Sequence, residues 1–394
     1  MLVSKRKNTK KNVISVFSLC GSLWFSVVLC EKLHGEPQRT TENIAHFGNK
    51  KASFLYFSQF SLYLTPNRTK MIDRQLISKP VASEFQQFET DFARSLQSDI
   101  PLLQSVLQQV FHTNGKHIRP LLLLLTAKIC GEPTHVTQLA AVIIETLHTT
   151  TLIHDDVVDE TKQRRGIPSL NAVFDNRIAV LTGDFILSSS IIHAVEIGNM
   201  AIIKTIARVC RELSEGELLQ IDHTEKRIID EEKYLLMIRK KTATLLSACS
   251  EIGALSVNAP SETVEKCRLF GEYLGYCFQI KDDIFDYFTE VNIGKPTGND
   301  LREGKITLPL IQALKNAPDN ERLKILNIID NQDYTLENVS FLIQFAKRYQ
   351  GIEYAEKRLI EYKEEAVKII NSFPESAART SLLLLADYFT QRTN

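Results

Sequence analysis

The sequence lacks paired cysteines, and this excludes the usual cysteine-based zinc site. Its seven cysteines, at positions 20, 30, 130, 210, 249, 267 and 277, stand singly, without any C-x-x-C pair. Most of them fall in apolar helical patterns, which is typical of small buried side chains in a reducing compartment. The cysteines therefore predict packing and not a structural metal.

The sequence also lacks a net charge, because 47 Lys and Arg residues balance 47 Asp and Glu residues. The balance is uneven along the chain, since residues 1–70 contain 11 basic and 3 acidic residues. Residues 71–394 are mildly acidic, with 36 basic and 44 acidic residues. A mildly acidic body argues against nucleic-acid binding, which depends on a basic surface.

Beyond Met71 the sequence lacks strand-like alternation and any repeat of fixed length. Apolar residues instead recur at every third or fourth position, beginning with Phe85, Phe88 and Phe92. Later segments with this period cover about 176–197, 200–223, 231–257 and 270–287. The spacing predicts amphipathic and buried helices, and hence an all-α fold that is not a solenoid.

The first 70 residues differ from the rest of the chain. Five basic residues precede an uncharged run, Val13–Cys30, which is the layout of a signal peptide or of a short membrane anchor. No clean small-x-small cleavage site follows. Three interpretations stay open: a leader or anchor, an upstream start that is not the natural one, and a folded part of the protein. We expect residues 1–70 to lie outside the fold, and a cytoplasmic protein unless they are a genuine leader or anchor.

Three carboxylates end a long apolar helical pattern that begins near Val136. They are Asp155, Asp156 and Asp159, and the first and last of them share one face of a helix because they are four residues apart. Like charges this close need a counter-charge. Mg²⁺ suits them, because it takes a few carboxylates and keeps other positions for waters and phosphate oxygens. The alternative is a solvated helix end.

Cations flank this acidic group and predict a phosphate ligand. Arg164 and Arg165 follow the aspartates, and guanidinium binds phosphate bidentately. Lys116 and Arg119 precede the all-apolar run Leu121–Leu125, where they oppose the helix dipole. An anionic ligand would explain that placement, although two surface cations remain the alternative.

A second acidic group repeats the theme at the end of another apolar helical pattern. Asp282, Asp283 and Asp286 have the same spacing as the first group, and a loop containing Lys295 and Lys305 follows. Two such groups, each beside cations, predict a site for metal-complexed diphosphates. Lys241 interrupts a third apolar face, either as a snorkelling surface lysine or as a phosphate ligand.

At these motifs the sequence resembles the trans-isoprenyl diphosphate synthases, the polyprenyl synthetase family, in particular the long-chain octaprenyl and heptaprenyl type. The family's two aspartate-rich motifs look like Asp155–Asp159 and Asp282–Asp286, and its basic motif looks like Gly115–Pro120. Here Asn114 and His117 depart from the usual glycine and arginine. The resemblance covers about residues 80–394, so residues 71–394 are expected to form one synthase domain.

The resemblance implies an isoprenoid synthase fold, with about ten core helices around a deep apolar cavity, in a homodimer. It implies that the six aspartates hold about three Mg²⁺ ions against an allylic diphosphate. Contacts to that diphosphate would come from Arg164, Lys241, Lys295 and Lys305. The diphosphate of isopentenyl diphosphate would be bound by Lys116, Arg119, His148 and Arg165. Thr242 and Gln279 would face the developing allylic cation.

The resemblance also bears on product length. Residues just before the first aspartate motif form the floor of the family's cavity, and bulky aromatic residues there stop elongation early. Here those positions hold Thr150 and Thr151, with Leu147 and Ile144 further down the same helix. This predicts a long all-trans product of about six to ten isoprene units, for quinone side chains, with peripheral membrane association for product release left open.

Other classes of protein share parts of this pattern. A short-chain farnesyl or geranylgeranyl diphosphate synthase remains the alternative within the family. A class I terpene cyclase shares one aspartate motif but needs no second diphosphate site. A ferritin-like di-iron protein uses the spacing of Glu145 and His148, but it needs that motif twice. A non-catalytic partner subunit would be free to lose an aspartate motif, and this chain has both.

Overall fold

A computed structural model describes residues 74–112, 115–164, 166–288 and 298–391 of the chain. Residues 1–70, for which the leader or anchor, upstream-start and folded interpretations stay open, lie outside the described residues, as do Arg165 and Lys295. Within them the chain is almost wholly helical, and this confirms the prediction of an all-α fold.

The N-terminal half of the described chain consists of helices up to the long α8. These are α1 Arg74–Ser78, α2 Ala82–Ser95, α3 Pro101–His112, α4 Ile118–Cys130, α5 His135–Val158, α6 Leu170–Val173, α7 Asn176–Ile197 and α8 Met200–Lys226. A short 3-10 turn, Lys79–Val81, joins α1 to α2. Pro101 stands at the first position of α3, where its missing N–H costs nothing.

The C-terminal half continues with α9 Glu231–Ile238, a π-helical segment Arg239–Ala243, α10 Thr244–Ser256, α11 Ser261–Phe285, α12 Asn299–Arg302, α13 Leu308–Asn316, α14 Asp319–Asp330, α15 Leu336–Arg348, α16 Gly351–Asn371 and α17 Ala377–Gln391. The sequence predicted one helix over 231–257. The structure divides it at the π-helical segment, which no apolar period indicates.

One small sheet interrupts the helices, although the sequence showed no alternation that predicts a strand. Strands β1 (Gln163–Arg164) and β2 (Ile167–Pro168) pair antiparallel, with Arg164 opposite Ile167. Two residues are too few to show a period of two. The hairpin follows α5 directly, and so it brings Arg164 back toward the aspartates at the end of that helix.

Two hydrophobic cores meet along α11. Phe270, Leu274 and Phe278 pack into the larger core, which contains buried apolar residues of α2, α4, α5, α8 and α10. Ile280 and Ile284 pack into the smaller one with α13, α15 and α16. Because α11 is shared, its C-terminal end, which carries the second aspartate group, is fixed from both sides.

Cysteine side chains follow the sequence prediction in part. Cys249, Cys267 and Cys277 are buried, whereas Cys130 and Cys210 are partly exposed. None of these five forms a disulfide. The two remaining cysteines of the sequence lie in the segment outside the described residues.

Candidate active site

The first aspartate group ends α5, as predicted, but most of it is buried. Thr134 caps the start of this helix, in a reciprocal arrangement with Thr137. At the other end Asp155 is 0% exposed and Asp156 is 5% exposed, while Asp159 is exposed. A solvated helix end would expose all three carboxylates, so this burial indicates that the first two face the interior of the site.

Arg164 holds one of these aspartates. Its Nε donates a hydrogen bond of 2.8 Å to Asp156 Oδ1, and its terminal nitrogen lies 2.7 Å from the same oxygen. Burial raises the pKa of Asp156, and the guanidinium of Arg164 partly offsets this. The amide of Asn171 donates to the main-chain oxygen of Asp156 and fixes the end of α5. In this structure Arg164, which is predicted to bind phosphate, therefore neutralises Asp156, which is predicted to bind a metal.

The second group, at the end of α11, is organised by a chain of hydrogen bonds. Thr242 Oγ1 donates to Gln279 Oε1 at 2.6 Å, and Gln279 Nε2 donates to Asp283 Oδ1 at 2.8 Å. The hydroxyl of Tyr234 donates to Asp283 Oδ2 at 2.6 Å. Burial, followed by the charge of Asp300, raises the pKa of Asp283 to about 8. Thr242 and Gln279, predicted to face the allylic cation, are thus tied directly to the metal-binding motif.

Asp286 is held by main-chain groups. Its two carboxylate oxygens accept hydrogen bonds from the N–H groups of Asn299 and Asp300, at 2.8 and 3.1 Å. Burial and the charge of Asp300 raise the pKa of Asp286 to about 7. Asp300 is a further carboxylate beside this group. No spacing in the sequence marks it, although it lies between Lys295 and Lys305.

Lys305 is influenced electrostatically by carboxylates near both aspartate groups. Burial alone would lower its pKa, but the carboxylates of Asp300, Glu303 and Asp159 raise it above the ordinary value. Glu303 is its ion-pair partner, at 2.5 Å. Asp159 belongs to the first group, and Asp300 donates its N–H to Asp286 of the second. The charge of Lys305 is therefore influenced by a carboxylate of the first group and by a carboxylate next to the second.

Lys241 lies inside the π-helical segment and is 3% exposed. Its Nζ is 2.6 Å from Oε2 of Glu217, which is 5% exposed. Glycines on both neighbouring helices make room for the segment. A Cβ on Gly216 of α8 would lie 2.4 Å from the nitrogen of Lys241, and one on Gly275 of α11 would lie 2.3 Å from the Cα of Ala243. Lys241 is therefore a buried, paired lysine and not a snorkelling surface residue.

The basic residues converge on a pocket beside the first aspartate group. It is lined by Lys116, Arg119, His148 and Arg164, together with Asp156. The family resemblance assigned Lys116, Arg119 and His148 to one subsite, for the diphosphate of isopentenyl diphosphate. Arg165 was assigned there too, and it lies outside the described residues. The pocket brings together α4, α5 and the hairpin, which no local pattern connects.

Tyr388 of the last helix takes part in this pocket's organisation. Lys116 Nζ donates a hydrogen bond of 3.0 Å to the hydroxyl of Tyr388 and lies 5.7 Å from the centre of its ring. The sequence shows no chemical motif in its last 90 residues, to which Tyr388 belongs. No motif marks Tyr388, because its role depends on α17 returning to α4.

The predicted chain-length residues divide between two faces of α5. Thr150 lies against α7, with its Oγ1 3.5 Å from the main-chain oxygen of Gly183. Thr146 and His154, one turn on either side, also contact α7. Thr151 is buried on another face and donates to the oxygen of His148 at 2.7 Å. The other two predicted residues, Leu147 and Ile144, are buried in the larger core.

The donor set of the aspartate groups fits a hard divalent cation. All of the candidate ligands are carboxylate oxygens, and burial disfavours the charge on Asp156, Asp283 and Asp286, which a cation would compensate. Within the described residues, no three His, Cys, Asp or Glu side chains are arranged to hold a metal ion by themselves. Phosphate oxygens and waters would therefore complete the coordination, as is usual for Mg²⁺.

Comparison with known proteins identifies the family of this chain. The polyprenyl synthetase family model matches residues 100–345. An all-trans-nonaprenyl-diphosphate synthase (geranyl-diphosphate specific) of Rhodobacter capsulatus is 38% identical over 316 residues, which are 79% of this chain and 96% of the relative. Component 2 of the heptaprenyl diphosphate synthase of Bacillus subtilis is 33% identical over 305 residues, covering 77% and 86% of the two chains.

Solved structures share the fold. A polyprenyl synthase of Caulobacter crescentus, complexed with calcium and isoprenyl diphosphate, is 29% identical and superimposes with a TM-score of 0.76 over 81% of this chain and 98% of its own. A geranylgeranyl pyrophosphate synthase of Bacteroides thetaiotaomicron is 39% identical, with a TM-score of 0.70 over 81% and 99% of the two chains. These similarities confirm the isoprenoid synthase fold that the resemblance implied.

Proposed function

Because this chain belongs to the polyprenyl synthetase family, we propose that it joins isopentenyl diphosphate head-to-tail to an allylic diphosphate. It repeats the condensation until a long all-trans polyprenyl diphosphate is formed. The observation that carries the proposal is the burial of carboxylates at two helix ends, Asp155 and Asp156 on α5 and Asp283 on α11. Lys116, Arg119 and His148 line a basic pocket beside the first group, where a second diphosphate would bind.

The chemistry requires a diphosphate to leave an allylic carbon. Bound Mg²⁺ would neutralise the charge that develops on the leaving group, held by Asp155, Asp156 and Asp159 on one side and by the α11 aspartates on the other. Lys241 and Lys305 add fixed positive charge. Arg164, now paired with Asp156, would be released toward phosphate when a cation takes over that carboxylate.

The allylic cation then needs an oriented, dry environment. Gln279 is fixed between Thr242 and Asp283, so its carbonyl dipole is held in place before the reaction. The long apolar helices exclude water, which would otherwise quench the cation. The double bond of isopentenyl diphosphate attacks the cation, and the proton then lost passes to the departing diphosphate, since no side-chain base stands out in the sequence.

A turnover assay tests this function. Purified protein with Mg²⁺, radiolabelled isopentenyl diphosphate and a farnesyl starter should incorporate label, and reversed-phase chromatography should show a product of about six to ten isoprene units. Asp282→Asn should reduce incorporation at least about a hundredfold without loss of helical circular dichroism, because it removes one metal ligand and keeps the size of the side chain. Absence of incorporation by the wild type with every starter would contradict the proposal.

A short-chain product is the second candidate. The similarity to a geranylgeranyl pyrophosphate synthase favours it, and the similarity to a nonaprenyl synthase favours the longer product. The threonines at positions 150 and 151 place no aromatic ring before Asp155, and this supports the longer product. Product sizing decides between the two.

The exposed face of α7 supports a homodimer. Leu181, Ile191, Ile192 and Val195 are each more than half exposed on this helix. Helices α5 and α7 are both long and apolar enough to span a membrane by length and composition, but the apolar stretch of α5 is 72% buried and that of α7 only 33%. An apolar face of this kind marks an interaction surface, and a second copy of α7 matches it in chemistry. Ile192→Glu should give a monomer in sedimentation.

We propose a cytoplasmic protein, unless residues 1–70 are a genuine leader or membrane anchor. The five described cysteines without disulfides support a reducing, cytoplasmic compartment. A product for quinone side chains is apolar, and this supports a peripheral contact with a membrane at product release. The relative named as component 2 has a name that implies a partner. Activity of the purified chain alone would support a homodimer, and activity only after a second protein is added would show a subunit that needs a partner.

A further inference from the structure

The turn that precedes α4 has a left-handed backbone at a residue that is not glycine. His117 has φ 46° and ψ 40°, and it forms the N-cap of α4 without a side-chain capping bond. A side chain with a Cβ rarely adopts this conformation, so neighbouring contacts must maintain it. The residues on either side of the turn, Lys116 and Arg119, both line the basic pocket.

The side chain of His117 is fixed by contacts that point into the protein. Its ring meets Phe88 and Phe92 edge-on, with centroids 5.5 and 5.6 Å apart. Its Nδ1 is 2.9 Å from Oε1 of Glu145 on α5. His117 is 9% exposed and Glu145 is 5% exposed. These three contacts fix both the position and the rotation of the imidazole.

Glu145 has no evident role in binding an anion. It lines the same pocket, and its second oxygen, Oε2, is buried and accepts no hydrogen bond from the residues that the structure describes. A carboxylate in this position repels a diphosphate, so it needs another reason to be there. It stands one turn before His148 on α5, and it thereby ties the turn before α4 to the helix that carries the first aspartate group.

We propose that His117 and Glu145 form a positioning pair for the basic pocket. Their hydrogen bond maintains the left-handed turn, and the turn aims Lys116 and Arg119 at the diphosphate of isopentenyl diphosphate. The proposal rests on the function proposed above and adds two residues to it. His117 then acts through its neighbours and is not itself a phosphate ligand, which explains why an imidazole can stand where the resembling family has a guanidinium.

His117→Asn tests the pair, with Gln350→Asn as its matched control. Asparagine tolerates the left-handed conformation but is too short to keep the contacts with Glu145 and the two phenylalanine rings. Gln350 is also a left-handed N-cap without a capping bond, at φ 57°, but it is exposed and precedes α16. The KM for isopentenyl diphosphate should rise about tenfold in His117→Asn, with kcat and the allylic KM within about twofold of wild type. The control should behave as wild type.

A second pair of variants separates positioning from packing. Glu145→Gln keeps an oxygen that accepts from Nδ1–H of His117, whereas Glu145→Leu keeps the size and removes the acceptor. We expect Glu145→Gln to stay close to the wild-type KM and Glu145→Leu to match His117→Asn. Equal increases of the KM for both substrates, together with a lower melting temperature, would show a merely structural role and overturn the proposal. An unchanged KM for isopentenyl diphosphate in folded His117→Asn and Glu145→Leu would overturn it as well.

A binding measurement keeps this test independent of turnover. Titration calorimetry with inorganic pyrophosphate in EDTA tests the basic pocket by comparison of variants. The aspartate groups bind diphosphate only through a metal, and His117→Asn leaves Lys241 and Lys305 unchanged. His117→Asn should weaken this binding about tenfold, and Gln350→Asn should not. If the wild type lacked condensation activity, the proposed function would fail while this titration still tested the pair. Equal pyrophosphate affinity in wild type and His117→Asn would contradict the positioning role.

Discussion

Lys241 Nζ and Glu217 Oε2 lie 2.6 Å apart in the interior, with the two side chains 3% and 5% exposed. The lysine belongs to a π-helical segment and the glutamate to α8, and Gly216, next to Glu217, is what allows the two backbones to approach. A π-helical bulge inside α-helical surroundings is frequent at functional sites. The pair therefore fixes the position of the lysine that the resemblance assigns to the allylic diphosphate.

This pair predicts opposite effects on stability and activity. Glu217→Gln should lower the free energy of unfolding by about 3–5 kcal/mol, because it leaves the lysine buried without its counter-charge. Combining Glu217→Leu with Lys241→Met should restore most of that stability, since it removes both charges. The double variant should still condense poorly, because the cation is absent. Urea unfolding and turnover measure the two effects, and a double variant with wild-type turnover would exclude Lys241 from the reaction.

The α11 aspartates predict a pH dependence of the metal-free protein. Burial raises the pKa of Asp283 to about 8 and that of Asp286 to about 7, above their ordinary value of 3.8. Between about pH 4 and 8 the folded chain therefore binds more protons than the unfolded chain, so stability falls as the pH rises, by up to about 1.4 kcal/mol per unit for each group.

Urea unfolding in EDTA at pH 5, 6, 7 and 8 measures this slope. Asp283→Asn should flatten it, because its side chain does not ionise. Mg²⁺ should stabilise the protein most at the upper end of the range, since it binds the ionised carboxylates. Stability that rises with pH in EDTA would show that these aspartates are ionised without a metal.

A chain beginning at Met71 is expected to be soluble and fully active. The described structure begins at Arg74 with α1, and both aspartate motifs, the basic motif and all of the described helices lie beyond Met71. Turnover of the shortened and full-length proteins should agree within about twofold, because none of the proposed ligands is lost. A shortened protein that is soluble but inactive would show that residues 1–70 belong to the active fold.

Thr151→Phe is expected to shorten the product to about three or four isoprene units, because the ring would stand one turn below Asp155 on α5. The structure makes this a cleaner test than Thr150→Phe. Thr150 lies against the main chain of Gly183, so a ring there would push α5 and α7 apart. Incorporation of label per site should remain near wild type, since the ligands are untouched.

Chromatography of the reaction products checks this expectation. Thr151→Ser provides a small-residue control and should keep the wild-type distribution. A wild-type product of three or four units, or an unchanged distribution in Thr151→Phe, would show that Thr151 is not the floor of the cavity. The threonines would then only pack between helices.

The sequence by itself determined the helical class, the two acidic helix ends and the cations near them. Helix α7 covers the residues that the apolar period predicted, 176–197, and Leu121–Leu125 is buried in α4 as its uniform apolarity required. These features are local, since a period of 3.6 residues or a pair of aspartates four residues apart depends on one helix only. Residues that chemistry marks by type, such as Asp283 and Lys241, were therefore found without the fold.

Only the tertiary structure decided which groups act on one another. Tyr388 reaches Lys116 across 272 residues, Glu145 reaches His117 across 28, and Tyr234 reaches Asp283 across 49. A tyrosine or a glutamate on an amphipathic helix has no distinguishing local pattern. It acquires a role when another helix brings an unsatisfied donor or acceptor within 3 Å of it in the interior. Leaving that group without a hydrogen bond there would cost free energy, and this favours the contact.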